Sequence, residues 1–313
     1  MPCSPAATPV EADGRPRPVP CPLCGGATQP AFSAVDRNRG LGDGRAFHYV
    51  RCTTCSTLAL ANPPADLSEY YPPAYYDLPE PADLGRLASS EAHKVDLLSR
   101  YVPPGRLVEI GPGFGVFALA ARRAGFEVTG IEMDPRCCRY LESNVGVAVV
   151  CSDAPANVLG GLPPSRAIAL WHSLEHLPAA GQLLESAARA LEPGGVLVIA
   201  MPNPEALQMR LLGARWAHVD APRHLALIPL DALTARLALL GLRRAEAAFD
   251  DPAGRHWNRF GWEYAVRRRP SAGPAGPVAR TAGALLALGL RPLERRERRG
   301  TAYTALFVKD CAA

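Results

Sequence analysis

No stretch of this 313-residue sequence is apolar for the roughly 20 residues that a membrane-spanning helix requires. The first residues, MPCSPAATPVEADGRPRPVP, lack the apolar core of a secretory signal. An excess of one charge is missing too: the formal net charge is +4, too weak to imply nucleic acid by itself. A cytoplasmic, reducing location is therefore expected, with cysteines that are thiols or metal ligands rather than disulfides. Hydrophobic residues make up 48% of the chain, enough to bury a core and to exclude wholesale disorder. The length suggests about two domains. Residues 1–18, rich in Pro and Ala, read as an unstructured tail.

Four of the nine cysteines stand in matched pairs, Cys21-Pro-Leu-Cys24-Gly-Gly and Cys52-Thr-Thr-Cys55. Each C-x-x-C can fold as a tight turn that aims two thiolates at one point, and two such turns complete a tetrahedral site. Gly25 and Gly26 supply the backbone freedom that such a turn needs. With sulfur at every position no site stays open for water, so Cys21, Cys24, Cys52 and Cys55 are expected to hold a structural Zn2+ in a small ribbon. A thioredoxin-like redox pair is the rival. It fails because two pairs are present and neither opens a helix after a strand. The segment has few Lys or Arg and no basic stripe, so no nucleic-acid role is expected of it.

The stretch NPPADLSEYYPPAYYDLPEP follows, with tyrosines at 70, 71, 75 and 76. It reads either as a proline-rich connector or as a lid over a ligand site. The pattern LGRLASSEAHKVDLLSRY then predicts a helix leading to a turn at Pro103-Pro104-Gly105.

From residue 106 strand-like and helix-like patterns alternate: RLVEIG, VFALAARRAG, FEVTGIE, PRCCRYLESN, GVAVVC, AIALWH, AGQLLESAARALEPGG and VLVIAMP. The last helix is predicted to close at its glycines. Apolar strands between amphipathic helices imply a parallel sheet covered on both faces, with ligands at the carboxyl ends of the strands. The first strand ends in Glu109-Ile-Gly111-Pro-Gly113-Phe-Gly115. These glycines let backbone approach a ligand that a Cβ would exclude. The dinucleotide fingerprint would need glycine where Val116 stands, which argues against a pyrophosphate cradle. Glu132 ends the second strand, where a carboxylate can accept hydrogen bonds from both ribose hydroxyls. Asp153 follows the third strand, placed to meet an adenine amino group.

LVEIGPGFG, VTGIEMD, LWHSLEHLP, ALEPGGVLVIAMPN and DAPRHLALI together resemble the class I S-adenosylmethionine-dependent methyltransferases, in the branch with an N-terminal zinc knuckle often seen in sugar and natural-product pathways. The resemblance runs from Cys21 to at least Leu240, and AYTALFVKD fits the last strand of that fold. It implies a Rossmann-like α/β sheet of seven strands with helices on both faces, preceded by the zinc ribbon. The implied layout is a tail at 1–18, the ribbon at 19–62, a linker with lid helices at 63–103, and a methyltransferase domain at 104–313 with a substrate-side insertion around 251–300. Glu109, Gly111, Gly113 and Gly115 would meet the methionine part of S-adenosylmethionine, Glu132 the ribose and Asp153 the adenine. YYPPAYY resembles the family's lid, which places Tyr76 against the cofactor. One departure is Ala167, where the strand before His172 usually opens with a structural aspartate.

LWHSLEHLP contains His172-x-x-Glu175-His176, the H-x-x-E-H spacing of inverted zinc proteases. That chemistry needs a sustained helix. Here an apolar strand precedes the motif and Pro178 follows it, so little more than one turn can form. Methyl transfer from a sulfonium asks instead for a positioned acceptor, excluded water and, for a hydroxyl or carbon acid, a proton acceptor. His172 and His176 follow the fourth strand, and His224 in DAPRHLAL follows the fifth, with Asp220 and Arg223 nearby. Either His176 or His224 is a general base, oriented by Glu175 or Asp220, or Glu175, His176 and His224, with His172, hold a divalent metal that binds a substrate hydroxyl. The metal-free base is the favoured reading.

RHWNRFGWEYAVRRRP suits an anionic substrate such as a nucleotide-sugar, and VARTAGALLALGLRPLERRERRG reads as a packed helix, with an interfacial helix as the alternative. The expected activity is methylation of oxygen or carbon on a small molecule. The alternatives are a nicotinamide oxidoreductase on a similar sheet, and an RNA methyltransferase or nucleic-acid-binding ribbon protein.

Overall fold

The apolar runs become strands where their period and their glycine or proline stops require it. The computed structural model describes residues 19–41, 44–72, 77–267, 276–295 and 298–311. Three antiparallel strands, β1 (Thr28–Ala34), β2 (Phe47–Cys52) and β3 (Leu58–Leu60), carry the cysteine turns. Helices α1 (Leu84–Ser90) and α2 (Ala92–Ser99) replace the single helix that the sequence predicts. The break falls at Glu91, whose N–H donates to the Ala88 carbonyl and tightens the turn.

The alternating half runs β4 (Arg106–Ile110), α3 (Val116–Arg123), β5 (Glu127–Glu132), α4 (Pro135–Tyr140), β6 (Ala148–Cys151), α5 (Pro155–Gly161), β7 (Ser165–Trp171), α6 (Ala180–Ala190) and β8 (Leu191–Pro202). It continues through α7 (Leu207–Leu212), β9 (Ala226–Leu227), α8 (Leu230–Ala238), β10 (Leu242–Ala248), α9 (Pro252–Ala265), α10 (Pro277–Arg295) and β11 (Ala302–Lys309). The helix predicted to close at Gly194-Gly195 stops earlier, at Ala190, and β8 begins at Leu191. Pro193 cannot continue a helix and Gly194 takes φ +75°, so Glu192 to Gly195 enter the strand as an irregular start.

The seven-stranded sheet has the order β10-β11-β8-β7-β4-β5-β6. Strands β4 to β8 pair in parallel, while β11 runs antiparallel between β8 and β10. Alternate residues feed two cores. Ile110, Ile168, Leu170, Leu197 and Ile199 pack under α6 and α8, and Leu107, Val128, Ala167, Val196 and Val198 under α1 and α3. Ala167 is fully buried and pairs with Leu107 and Val196, so the strand forms without the aspartate.

The ribbon is not a bead on a string. β3 pairs antiparallel with β9, so its sheet has the order β1-β2-β3-β9 and takes its last strand from the chain that follows β8. The Gly181 N–H donates to the Pro22 carbonyl at 2.8 Å, and a Cβ at Gly181 would lie 2.7 Å from the Leu23 carbonyl oxygen. The first cysteine turn therefore seats directly on the start of α6.

Candidate active site

The four cysteine sulfurs converge as their spacing predicts. Cys21 and Cys55 Sγ are 3.6 Å apart, Cys24 and Cys52 3.6 Å, and Cys24 and Cys55 3.5 Å. Tetrahedral zinc at its usual sulfur distance separates its ligands by about 3.8 Å, so the set fits the ion. The N–H groups of Thr54 and Cys55 point at Cys52 Sγ, 3.4 and 3.5 Å away. Burial pushes the Cys52 thiol up, but these donors outweigh it and hold the group down to about 7. Burial pushes the Cys21 and Cys24 thiols up. A dication would offset that cost.

The sheet reverses its direction of travel between β4 and β7, and the candidate active site lies beyond the carboxyl ends of these strands. Glu109, one residue before the end of β4, is buried, and its Oε2 has no hydrogen-bond partner. Burial pushes its carboxyl up to about 8, against the opposing charge of Lys94. Gly111, Gly113 and Gly115 all adopt positive φ. Besides any approach to a ligand, packing itself demands glycine at two of these positions. A Cβ on Gly111 would stand 2.8 Å from Ser173 Cβ, and one on Gly115 would overlap Leu141 Cδ2. Both are required by the protein's own side chains. Gly113 donates its N–H to Glu132 Oε2 at 3.0 Å, while Met133 and Asp134 N–H donate to Oε1 at 2.8 and 2.9 Å. The Glu132 carboxylate is thus fixed at the end of β5, buried beside the glycine turn. Asp153 is exposed just beyond β6, and Tyr76 lies outside the described residues. The lid segment is described as far as Pro72. There Tyr70 is buried against Phe47, and Tyr71 Oη stands 3.0 Å from His176 Nδ1.

The histidines do come together. Leu174–His176 forms a single 3-10 turn, which rules out the protease geometry. His172 takes φ +55° and donates its N–H to the Ala200 carbonyl, turning the chain at the end of β7. Its Nδ1 is 3.5 Å from Glu175 Oε1, and Glu175 Oε2 has no partner. Glu175 is buried, which pushes its carboxyl up, yet His172, His176 and His224 together hold it below the usual carboxylate range. The His176 and His224 rings are 4.7 Å apart. His176 Nδ1 lies 3.0 Å from the Arg223 carbonyl, and His224 Nδ1 2.8 Å from the His218 carbonyl. A carbonyl only accepts, so each Nδ1 carries the proton and each Nε2 keeps its lone pair. Backbone carbonyls thus hold both Nδ1 atoms, while Asp220 Oδ2 stands 3.9 Å from His224 Nε2. Burial drives His176 down to about 4, helped by His224. Glu175, His176 and His224 each offer one ligand atom, all within 4.8 Å of one another.

Asp220 has a different task. It accepts from Arg223 Nη2 at 2.7 Å and Nε at 3.0 Å, and the same guanidinium donates to Asp36 Oδ1 at 2.7 Å. Asn38 Nδ2 also bonds Asp220 and the Ala217 carbonyl. Arg223 is fully buried, so this network clamps the ribbon's 36–38 loop onto the loop that carries His224 into β9. Burial would raise the Asp220 carboxyl, but Arg223 and its neighbours hold it at about 2.

Several site residues escaped sequence reasoning. His218 stacks edge-on against Trp257 and Phe260 at 5.7 and 5.9 Å, and Trp257 lies 5.4 Å from His172, forming an aromatic wall beside the imidazoles. Only the aromatic content of RHWNRFGW hinted at this wall. Arg37, Arg215 and Arg267 gather round Tyr264 farther along it. Lys94, on α2, sits 4.6 Å above the Trp171 ring next to Glu109, and no spacing in the sequence announced it.

Comparison with known proteins bears on the family and the fold. A family model described as a methyltransferase domain matches residues 86–246. A ubiquinone biosynthesis O-methyltransferase of Xylella fastidiosa is 30% identical over 133 residues, 39% of this chain and 54% of that protein. A ribosomal protein L11 methyltransferase of Pelotomaculum thermopropionicum is 36% identical over 107 residues, 33% of this chain and 34% of that protein. The chain spans about half the length of the first of these relatives and a third of the second. A methyltransferase of known structure from Galdieria sulphuraria superposes with a TM-score of 0.50 at 16% identity, over 76% of this chain and 95% of that one, and so shares the fold. From its glycine turn, its sheet order and this match, the chain belongs to the methyltransferase-domain family, with the fold of the class I S-adenosylmethionine-dependent methyltransferases.

Proposed function

We propose that this protein methylates a small-molecule acceptor, with His176 Nε2 receiving the acceptor's proton. S-adenosylmethionine supplies the methyl group already activated on a sulfonium. As the bond from methyl carbon to acceptor oxygen forms, the carbon–sulfur bond breaks and its electron pair stays on sulfur. The residues do the rest. Glu132 is a fixed acceptor for ribose hydroxyls, and Glu109, buried with one oxygen unpartnered, suits the ammonium of an amino acid. Gly113 and its neighbours bring backbone close to both. The observation that carries the proposal is the pair of imidazoles whose Nδ1 atoms are held by carbonyls, which leaves Nε2 as the accepting nitrogen of each. Burial keeps the imidazole neutral, so its lone pair is available, and the neighbouring Glu175 carboxylate would stabilise the proton it receives. Relatives named as O-methyltransferases support oxygen as the acceptor atom. The aromatic wall and the three arginines beyond it suit a ring-bearing acceptor with an anionic end, such as a nucleotide-sugar or natural-product intermediate.

One observation favours a second reading. Two histidines and a carboxylate with ligand atoms within 4.8 Å form a set that suits a divalent cation, and the carbonyl-held Nδ1–H groups fix its ligands as an outer shell does. Such an ion would lower the pKa of a bound hydroxyl.

Calorimetry tests the activity. S-adenosylmethionine should bind, and Glu132→Ala should weaken binding at least about tenfold, the loss of a charge-assisted hydrogen bond. No binding to the unaltered protein would sink the proposal. Chelation then separates the two readings. Activity that survives chelation but drops about 10²-fold in His176→Ala supports the base. Activity restored only by an added divalent ion supports the metal.

A further inference from the structure

Helix α10 is built inside out. Its inner face, against α9, is small and polar. A Cβ on Gly283 would stand 2.5 Å from the Glu263 backbone, so the two helices touch closely there. Glu294 is buried and accepts from Trp262 Nε1 at 2.7 Å and Asn258 Nδ2 at 2.6 Å. The outer face carries the leucines. Val278 is 83% exposed, Leu285 65%, Leu288 70% and Leu293 48%. Residues 278, 285, 288 and 292 follow helical spacing and form one stripe, with Leu286 and Leu293 along its margin. An amphipathic helix of a globular protein turns its apolar stripe to the core, and this one turns it to solvent.

The charges say what covers it. Arg280, Arg291 and Arg295 recur eleven and four residues apart, so they line one edge of the apolar stripe. Asp250 bridges Arg291 and Arg295 at 3.1 Å each, which fixes that edge in place. Arg280 is exposed, as is Arg298 just past the helix. The only acid of α10, Glu294, is buried on the inner face. Apart from Asp250, which Arg291 and Arg295 share, the outward face offers leucines and arginines and no acid of α10 itself. A second copy packed on it would bring the same arginines, and its only acid there, Asp250, is already shared by two of them. No helix among the described residues is long and apolar enough to cross a membrane, so the stripe can lie on a bilayer but not span it.

We propose that α10 docks the protein on an anionic lipid surface, its leucines entering the headgroup boundary and its arginines meeting lipid phosphates. This does not depend on the reaction assigned above. The test is flotation of the full chain with phosphatidylcholine vesicles, with and without phosphatidylglycerol. The protein should float with the anionic vesicles at low salt and stay behind with phosphatidylcholine alone. Replacing both Leu285 and Leu288 by Glu should cut the bound fraction at least about tenfold, and Arg280→Gln should weaken binding about fivefold. These positions are exposed, so the thermal midpoint should hold. If the double variant fails to fold, Leu288→Asn alone should still weaken flotation. Failure of the unaltered chain to float with anionic vesicles overturns the proposal, and so does flotation that survives the leucine substitutions. A dimer on sizing that those substitutions dissolve, without flotation, assigns the face to a second copy and overturns it as well.

Discussion

A methyl group added at Gly115 would overlap Leu141 Cδ2, at a φ of +80° that only glycine adopts without strain. Gly115→Ala is therefore expected to cost on the order of 3 kcal/mol, combining left-handed strain with overpacking. Urea unfolding measures it against Gly160→Ala, where a Cβ meets nothing. Equal effects in the two variants would show that the packing at Gly115 is not what demands glycine. The same contrast runs through the site. The sequence made the glycines of LVEIGPGFG visible as a group, but could not say that Gly111 yields to Ser173, Gly115 to Leu141, and Gly113 to Glu132. Spacing is local, and those partners lie 19 to 62 residues away in the chain. His176 and His224 were legible as candidates because each follows a strand. Their tautomers were not, since those depend on two carbonyls that only folding brings near.

At the scale of elements, the cysteine turns do more than bring four sulfurs together. The Pro22 carbonyl accepts from Gly181 at the start of α6, just after the turn that holds Glu175 and His176. The purified protein is expected to carry about one equivalent of zinc. Cys52→Ser should remove most of it and lower the thermal midpoint. Amide exchange should quicken at the start of α6 and in the 174–176 turn. Elemental analysis below about half an equivalent in the unaltered protein would count against the metal. Exchange that quickens only in the ribbon would show that the knuckle does not brace the site. The spacing of the cysteines revealed the ribbon in advance. That it borrows β9 as its fourth strand was hidden, because Ala226-Leu227 is too short to show any period. The break at Glu91 and the early start of β8 were hidden for a related reason. Apolar period marks the body of an element, while its ends are set by single hydrogen bonds and by proline.

For the whole molecule, burial of ionisable groups beside the clamp between ribbon and sheet makes the fold sensitive to acid. Burial drives His176 to about 4 and His218 to about 3, against an ordinary imidazole value of about 6.5. Below pH ~6.5 the unfolded chain takes up these protons and the fold does not, so stability should fall as pH drops from ~6.5 to ~4. Asp220, held at about 2 despite its burial, extends the loss between pH ~4 and ~2, because the fold must then protonate a carboxylate that Arg223 keeps ionised. Urea midpoints measured from pH 8 to 4 should decline below ~6.5, and less steeply in His218→Gln. Glu109, raised to about 8, opposes this trend, so the variant decides: a slope in His218→Gln equal to that of the unaltered chain would mean that His218 is not kept neutral by the fold. By itself the sequence determined the sheet with its covering helices, the meeting of four cysteines, and the strand ends where Glu109, Glu132 and His172 emerge. Each of these follows from periodicity, from turn residues or from ligand spacing, all of them short-range. Tertiary structure alone decided that Arg223 ties Asp36 to Asp220, that Trp257 and His218 wall the imidazoles, and that α10 turns its leucines outward. Those outcomes depend on which distant surfaces meet. A pattern along the chain carries the amphipathicity of a helix, and only the packing chooses which of its faces is inside.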